Sequence, residues 1–214
     1  MKSKSVLLTG FEPFAGDRVN PSGEVARALH GRVIAGHVVI GAVLPCVFGA
    51  ARSEIARLVR SHRPAAVIAT GLAGGRAEFT PERVAINVDD ARIPDHAGAR
   101  PIDVPVLRGG PAAYWSGLPI KAIVAALRDR NIPAVVSQSA GTFVCNHVFY
   151  GLMHALRRQR SIRGGFIHMP YLPEQAPPGQ PSLPRETMIE AIAVAIEVTL
   201  TTRADRREAG GRTH

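Results

Sequence analysis

Of the two cysteines in the chain, Cys145 stands where a thiol can act as a nucleophile. The stretch PAVVSQSAGTFVC reads as a strand, a tight loop of small residues and the first turn of a helix. Backbone N–H groups in that turn lack intrahelical acceptors. Together with the helix dipole they favour an anion, which lowers a thiol pKa. A strand-to-helix turn also lifts its residue out of the sheet toward a cleft, a geometry by which hydrolases present a nucleophile. A packed core cysteine fits the same position equally well. Cys46, in LPCVFG, also follows a strand but lacks turn residues before it, which suits a packed or cleft-lining side chain. Ser137 and Ser139 sit in the loop before Cys145 without a G-x-S-x-G setting, so a serine nucleophile is the weaker choice.

A thiol nucleophile needs a general base in reach, and the base needs an acceptor to orient it. Eight histidines compete. His147 is two residues from Cys145 and points to a different face of a helix, one it shares with His154. His30, His62 and His214 fall at helix or chain ends, His37 begins a strand, and His96 sits in a turn. His168 ends the strand GGFIH and is followed by Pro170, which stops regular pairing. If that strand runs parallel to PAVVS, His168 emerges at the same sheet edge as Cys145.

The orienting acceptor is narrowed by exclusion. No Asn follows the histidine, and Pro170 occupies the position two residues after it, where a glutaminase-type triad places Glu. A carboxylate ahead of Cys145 is therefore needed, unless Glu174 serves. Glu78, Glu82, Asp89, Asp90, Asp95 and Asp103 are the candidates. Glu82 opens ERVAIN, where a charged residue leads an apolar strand, but a surface pairing with Arg83 or Arg76 accounts for it as well. Metal chemistry is disfavoured, because Cys145 and His147 are a two-ligand fragment and a zinc site needs three or four protein ligands. GLAGG, after the third strand, lacks both G-x-G-x-x-G and the lysine of a P-loop.

The elements that must position these groups alternate along the chain. SVLLTG, HVVIGAVLP, AAVIATG, PAVVS and GGFIHMP read as strands. SGEVARALH, GAARSEIARLVRSH, LPIKAIVAALRDRN, VCNHVFYGLMHALRRQ and SLPRETMIEAIAVAIEVTL read as helices. The alternation predicts an α/β sandwich with a mostly parallel sheet. Residues 71–117 break the rhythm with one short strand at RVAINV; an irregular segment this long inside a compact domain is usually functional. Phe11 and Phe14 lie in the loop after the first strand, and Phe143 lies beside Cys145.

Totals bound the reading. The chain has 214 residues, 46% of them apolar and 20% charged, which suits one folded domain rather than a disordered chain. No run approaches the ~18 apolar residues of a membrane span. The start, MKSKSVLLTGFEPF, leads into Glu and Pro without a small-residue cleavage site and reads as a first strand. Two distant cysteines outside any C-x-x-C pattern suit a reducing cytoplasm. The net charge of +9 raises nucleic-acid binding. However, Arg157, Arg158, Arg160 and Arg163 cluster at a helix end and the following turn, where cations suit the terminal carbonyls. A solvated basic surface with no nucleic-acid partner is the simpler reading.

Five motifs in order, LLTGFEPFAGDRVNPS, GLAGGRAEFTPERVAINVDDARIPDHAG, GGPAAYWSGLPIKAIV, SAGTFVCNHVFYGLMH and GGFIHMPYLPEQ, resemble the pyroglutamyl-peptidase I family of cysteine peptidases. The resemblance runs from Val6 to about Glu190. It implies a three-layer α/β/α sandwich with a mostly parallel, mixed and twisted sheet, forming a single catalytic domain over residues 1–202; the tail at 203–214, mixed in charge sign, reads as frayed from its composition. The resemblance implies a triad of Glu82, Cys145 and His168, and it alone selects Glu82. It further implies Arg92 at the oxyanion, Phe11, Phe14 and Phe143 around the substrate ring, and no cofactor or metal. The substrate class is peptides with N-terminal pyroglutamate, and the assembly is a homo-tetramer. Another thiol amidohydrolase on the same scaffold, or a non-catalytic homologue, are the alternatives. Forms of the family carry Gln where Leu72 stands and Thr where Cys46 stands. Ring recognition through those side chains would be altered here, whereas recognition through the main chain would not.

Overall fold

The computed structural model describes residues 4–159 and 161–211, so Arg160 and His214 fall outside the described residues. Strand β1 (Ser5–Phe11) lies mid-sheet between β3 (His37–Leu44) and β4 (Ala66–Leu72), parallel to both. β8 (Arg163–Met169) extends the parallel run beyond β4. Two-residue antiparallel strands close the edges: β2 (Val33–Ile34) beside β3, and β5 (Thr80–Pro81) beside β8. The order β2-β3-β1-β4-β8-β5 is thus mixed but mostly parallel, as the alternation predicts. β6 (Val84–Ile86) and β7 (Ala113–Trp115) form a separate antiparallel pair.

Successive strand side chains point to opposite faces, and both faces here are apolar because both are covered. Val6 and Leu8 of β1, with Ala66 and Ile68 of β4, pack against α1 (Pro21–Leu29), α3 (Ile120–Arg128) and α5 (Arg185–Thr201). Leu7, Val67, Ala69 and Phe166 face the other way, against α2 (Ala50–His62) and α4 (Val144–Leu156). The result is the three-layer α/β/α sandwich. His168 is two residues from Phe166 and therefore shares the face that carries α4. That parity makes a meeting with Cys145 geometrically available.

The strand expected over PAVVS survives only as two parallel bridges, Phe79↔Ala134 and Glu82↔Ser137. The hydrogen bonds show why. Phe79 N–H donates to Pro133, Val135 N–H to Phe79, Ser137 N–H to Pro81 and Arg83 N–H to Ser137. The bond missing from the middle of this ladder is the one Pro81 cannot donate. Since 134–137 runs parallel to β5, and β5 is antiparallel to β8, PAVVS is antiparallel to β8 rather than parallel. Cys145 reaches the His168 level only because residues 138–143 turn back across the sheet.

β2 was not foreseen. It is joined to β3 by Ala35 and Gly36, both at positive φ (45° and 75°). An alanine in that conformation carries none of the Asn or Gly signal by which such a turn is read from sequence.

The described part of the C-terminal tail, 203–211, is anchored instead of frayed. Asp205 accepts hydrogen bonds from the N–H groups of Lys121 (3.2 Å) and Ala122 (2.9 Å), capping α3 from outside. Arg83 donates to the Gly210 carbonyl at 2.6 Å. The mixed-sign tail composition hid one carboxylate placed over orphan helix donors. No described helix is long and apolar enough to cross a membrane.

Candidate active site

Cys145 is the second residue of α4, so its N–H has no acceptor within the helix. The chain enters α4 through Gly141 at φ 77°, a left-handed turn that glycine adopts without strain. Thr142 locks this entry to the preceding excursion: its hydroxyl donates to the Asp90 carbonyl (2.8 Å), and Asp90 N–H donates to the Thr142 carbonyl (3.0 Å).

The sulfur lies over the end of β4. A Cβ added to Gly71 would stand 2.9 Å from Cys145 Sγ, so only glycine admits the thiol here. Gly71 is in turn the register partner of His168 on β8. Thiol and imidazole thus sit over one pair of adjacent strands, and both line a cleft of about 450 Å³.

Behind His168 the edge strand supplies its partner. Thr80 pairs in register with His168, and Glu82 N–H donates to the Phe166 carbonyl at 2.9 Å. Glu82, fully buried, is thereby held beside the ring, and His168 Nδ1 lies 2.7 Å from its Oε1. With that carboxylate oxygen as acceptor, Nδ1 carries the proton and Nε2 keeps a free lone pair. Arg76 donates to the same Glu82 oxygen at 2.9 Å and to the Thr80 hydroxyl at 2.6 Å. The excursion candidate that sequence alone could not separate from a surface ion pair is bonded to Arg76 and to His168 at once.

Burial pushes the Cys145 thiol well above its ordinary range; neighbouring Cys46 and Glu82 add to the rise, and Arg76 opposes it. This corrects the expectation of a lowered thiol pKa at a helix start. Removal from water costs the anion more than one helix terminus returns. A thiol shifted this way favours its protonated form, so attack by it would need a proton acceptor within the same cleft.

The remaining candidates fall in distinct places. Phe14, Phe143 and Arg92 line the cleft, together with Leu72 and Ala73. Phe14 and Phe143 pack at 5.4 Å between ring centroids, and Phe48 meets Phe143 edge-on at 5.3 Å. Phe11 is 3% exposed in the core and is not among the lining residues. Cys46 is packed in the same core cluster, so of the two roles considered for it the packed one holds. Ser137 and Ser139 bond each other outside the cleft. Among the described residues no cluster of three His, Cys, Asp or Glu side chains is placed to hold a metal.

Sequence reasoning missed how α4 organises the irregular excursion. Asn146, wholly buried, accepts from Ile86 N–H and donates to the carbonyls of Ile86 and Val88. His147 meets Asp89 at 2.7 Å through Nδ1 and accepts Gly49 N–H at 2.9 Å through Nε2. Tyr150 donates to the Pro111 carbonyl. The available signal was the polar pair Asn146–His147 inside an otherwise apolar helix, since buried polar groups are expected to have partners.

Comparison with known proteins agrees with this geometry. A family model described as pyroglutamyl peptidase matches residues 4–202. A pyrrolidone-carboxylate peptidase of Cupriavidus necator is 60% identical over 99% of this chain and 100% of its own. Another, of Klebsiella pneumoniae, is 59% identical over 98% and 99% respectively. The crystal structure of pyroglutamyl peptidase I from Bacillus amyloliquefaciens superimposes with a TM-score of 0.94 at 45% identity, covering 97% of this chain and 100% of that one.

Proposed function

Because the chain belongs to the pyroglutamyl peptidase family, and is a cysteine peptidase that removes N-terminal pyroglutamyl residues from peptides, we propose that Cys145, His168 and Glu82 carry that reaction. The observation that supports this most directly is the shared cleft of Cys145 and His168, with Glu82 bonded to the far side of the imidazole.

Substrates of this kind present no ammonium group, since the terminal nitrogen is closed into a five-membered lactam. Recognition must come from flat apolar walls and a few polar groups. Phe14 and Phe143 supply the walls, with Phe11 in the core. Leu72 and Ala73 bring main chain to the cleft, although the Ala73 N–H and carbonyl are already bonded to Met169 and Arg76. Cys145 attacks the carbonyl carbon joining pyroglutamate to the next residue as its proton passes to His168 Nε2. The oxyanion that forms is met by the Cys145 N–H and by Arg92, which lines the same cleft; one such donor is typically worth ~3 kcal/mol. His168 then protonates the leaving amine, and a thioester remains. Water, deprotonated by the same Nε2, hydrolyses it and releases pyroglutamate. Glu82 holds the imidazole tautomer throughout.

The reading extends to a single catalytic domain through residue 202, acting without a cofactor or nucleic-acid partner, as a homo-tetramer in a reducing cytoplasm. The free state of Cys46 and Cys145 accords with that compartment. The test compares pyroglutamyl-, prolyl- and glutaminyl-aminomethylcoumarin. Pyroglutamyl turnover is expected, abolished by iodoacetamide and by Cys145→Ser with the fold retained. Preference for either other substrate, or full activity in Cys145→Ser, would overturn the assignment.

A further inference from the structure

We propose that the groove between α2 and the C-terminal half of α4 is a binding site for a small multivalent anion bearing phosphate or carboxylate groups, separate from the catalytic cleft. The groove holds about 540 Å³ and is lined by Arg52 and Arg60 from α2 and by His154 and Arg157 from the end of α4, over apolar Val59 and Leu107. None of its lining residues is shared with the cleft around Cys145.

Its charge is uncompensated. Among the described residues no carboxylate lines the groove. Elsewhere the same helices and their neighbours pair their arginines: Arg27 with Glu24, and Arg57 with Glu54 on α2 itself. Glu54 therefore serves a turn away from the groove, and Arg60 makes no hydrogen bond or ion pair among the described residues. Arg52 uses one Nη1 donor on the Val106 carbonyl, and Arg157 one on the His154 carbonyl. A guanidinium has five N–H donors, so most remain unspent. His154 shares a hydrogen bond with the Tyr114 hydroxyl through Nδ1 (2.8 Å), and no described residue bonds its Nε2. Burial first, then Arg157 and Arg52, hold the His154 pKa below its ordinary value.

Three planar forks around one concavity suit oxygen-rich anions, which guanidinium binds in bidentate fashion. A single charge would leave donors on at least one wall unused, so a ligand with two or more anionic groups fits best. The apolar floor leaves room for a short carbon skeleton between them.

The test uses the intact protein, with inorganic pyrophosphate and citrate as probes in calorimetric titrations at low ionic strength. Saturable binding of either is expected, weakened at least ~10-fold by the double reversal Arg60→Glu with Arg157→Glu, given the strength of charge-assisted bonds. Both arginines are exposed and outside the catalytic machinery, so turnover of the pyroglutamyl substrate should persist and certify folding. Binding of pyrophosphate alone assigns a phosphate-bearing ligand, and of citrate alone a polycarboxylate. In proton NMR the His154 pKa should rise on saturation. Absence of saturable binding, binding indifferent to the double reversal, or displacement of the probe by free pyroglutamate would each overturn the site. So would a change of oligomeric mass in the double variant with anion binding intact, which would make the groove a contact between copies.

Discussion

Gly71 and His168 face each other across the parallel pair of β4 and β8, and the Cys145 sulfur sits above that pair. The absent side chain of Gly71 is the space the Cys145 sulfur occupies. A methyl group there would stand 2.9 Å from both Cys145 Sγ and Phe166 Cζ, closer than real contacts allow. Phe166 is fully buried and cannot yield, so the thiol must. Gly71→Ala is expected to lower kcat at least ~10-fold through misplacement of the nucleophile, with ~1–3 kcal/mol of lost stability from overpacking. Steady-state kinetics alongside urea denaturation check this. An alanine variant with wild-type kcat would contradict the placement of the sulfur.

In the proposed reaction Glu82 acts through the His168 tautomer. Replacing it by Gln keeps the size but puts a donor or a weaker acceptor opposite Nδ1. When Nδ1 is forced to accept, Nε2 carries the proton and can no longer take one from the thiol. A loss in kcat of ~10²–10⁴ is expected, with KM little changed, since Glu82 is wholly buried and does not line the cleft. Equal losses through KM alone would argue against an orienting role.

Arg76 has two consequences that separate on measurement. It bonds the Glu82 oxygen that His168 uses, and its charge opposes the burial that raises the Cys145 thiol pKa. In Arg76→Met that thiol pKa should climb further, so the thiolate fraction at any given pH falls. Iodoacetamide alkylation of resting enzyme should therefore be slower than in the wild type, with the rate-versus-pH curve displaced to higher pH. The wild-type curve itself should still be rising above pH ~9, because burial has moved the thiol above the ordinary cysteine range. A plateau at neutral pH would show a resting thiolate instead.

The depth of sequence legibility varied with the kind of physical signal. Apolar runs and helical spacing gave β1, β3, β4, β8 and the five helices, because those patterns record burial directly. Cys145 stands at a helix start and His168 near a strand end as expected, but the parallel run of PAVVS with β8 that was to join them is absent, and they share a cleft by another route. Glu82 was not readable, since its selection depends on β5 pairing antiparallel with β8, a two-residue contact with no periodicity of its own. The broken ladder at 134–137 follows from Pro81 on the neighbouring segment, a non-local cause. Likewise the Asn146 and His147 staples look like blemishes in an apolar helix until the excursion they hold is in place. Composition alone suggested disorder in the tail, where position made Asp205 a cap.

That cap carries its own expectation. α3 begins at Ile120 behind an N-cap Pro119 that makes no side-chain cap bond, and Asp205 provides acceptors for two of its first N–H groups. Asp205→Ala should cost about 1 kcal/mol, in the range of other lost N-caps, with pyroglutamyl-substrate kcat unchanged because α3 lies on the sheet face away from Cys145. Truncation after residue 202 should cost at least as much. Chemical denaturation of the two variants measures it, and wild-type stability in both would dismiss the cap.

Cys46 sets an alkaline limit to stability. Burial, then Glu12 and Asp95, push its thiol from 9.0 up to about 12. Below pH 9 the thiol is protonated in folded and unfolded chains alike, and its contribution is fully present. Between pH 9 and about 12 the unfolded chain releases the proton while the folded one retains it. The unfolded state then binds fewer protons, and stability falls as pH rises. Three pH units at ~1.4 kcal/mol each set an upper bound of about 4 kcal/mol for the loss. Cys46→Ala removes this slope and leaves that of Cys145, so the variant starts from a lower stability at pH 8 but loses less between pH 9 and 11. Urea midpoints measured at half-unit pH steps give both slopes, and parallel curves for the two proteins would show that the Cys46 thiol is not held above its ordinary pKa.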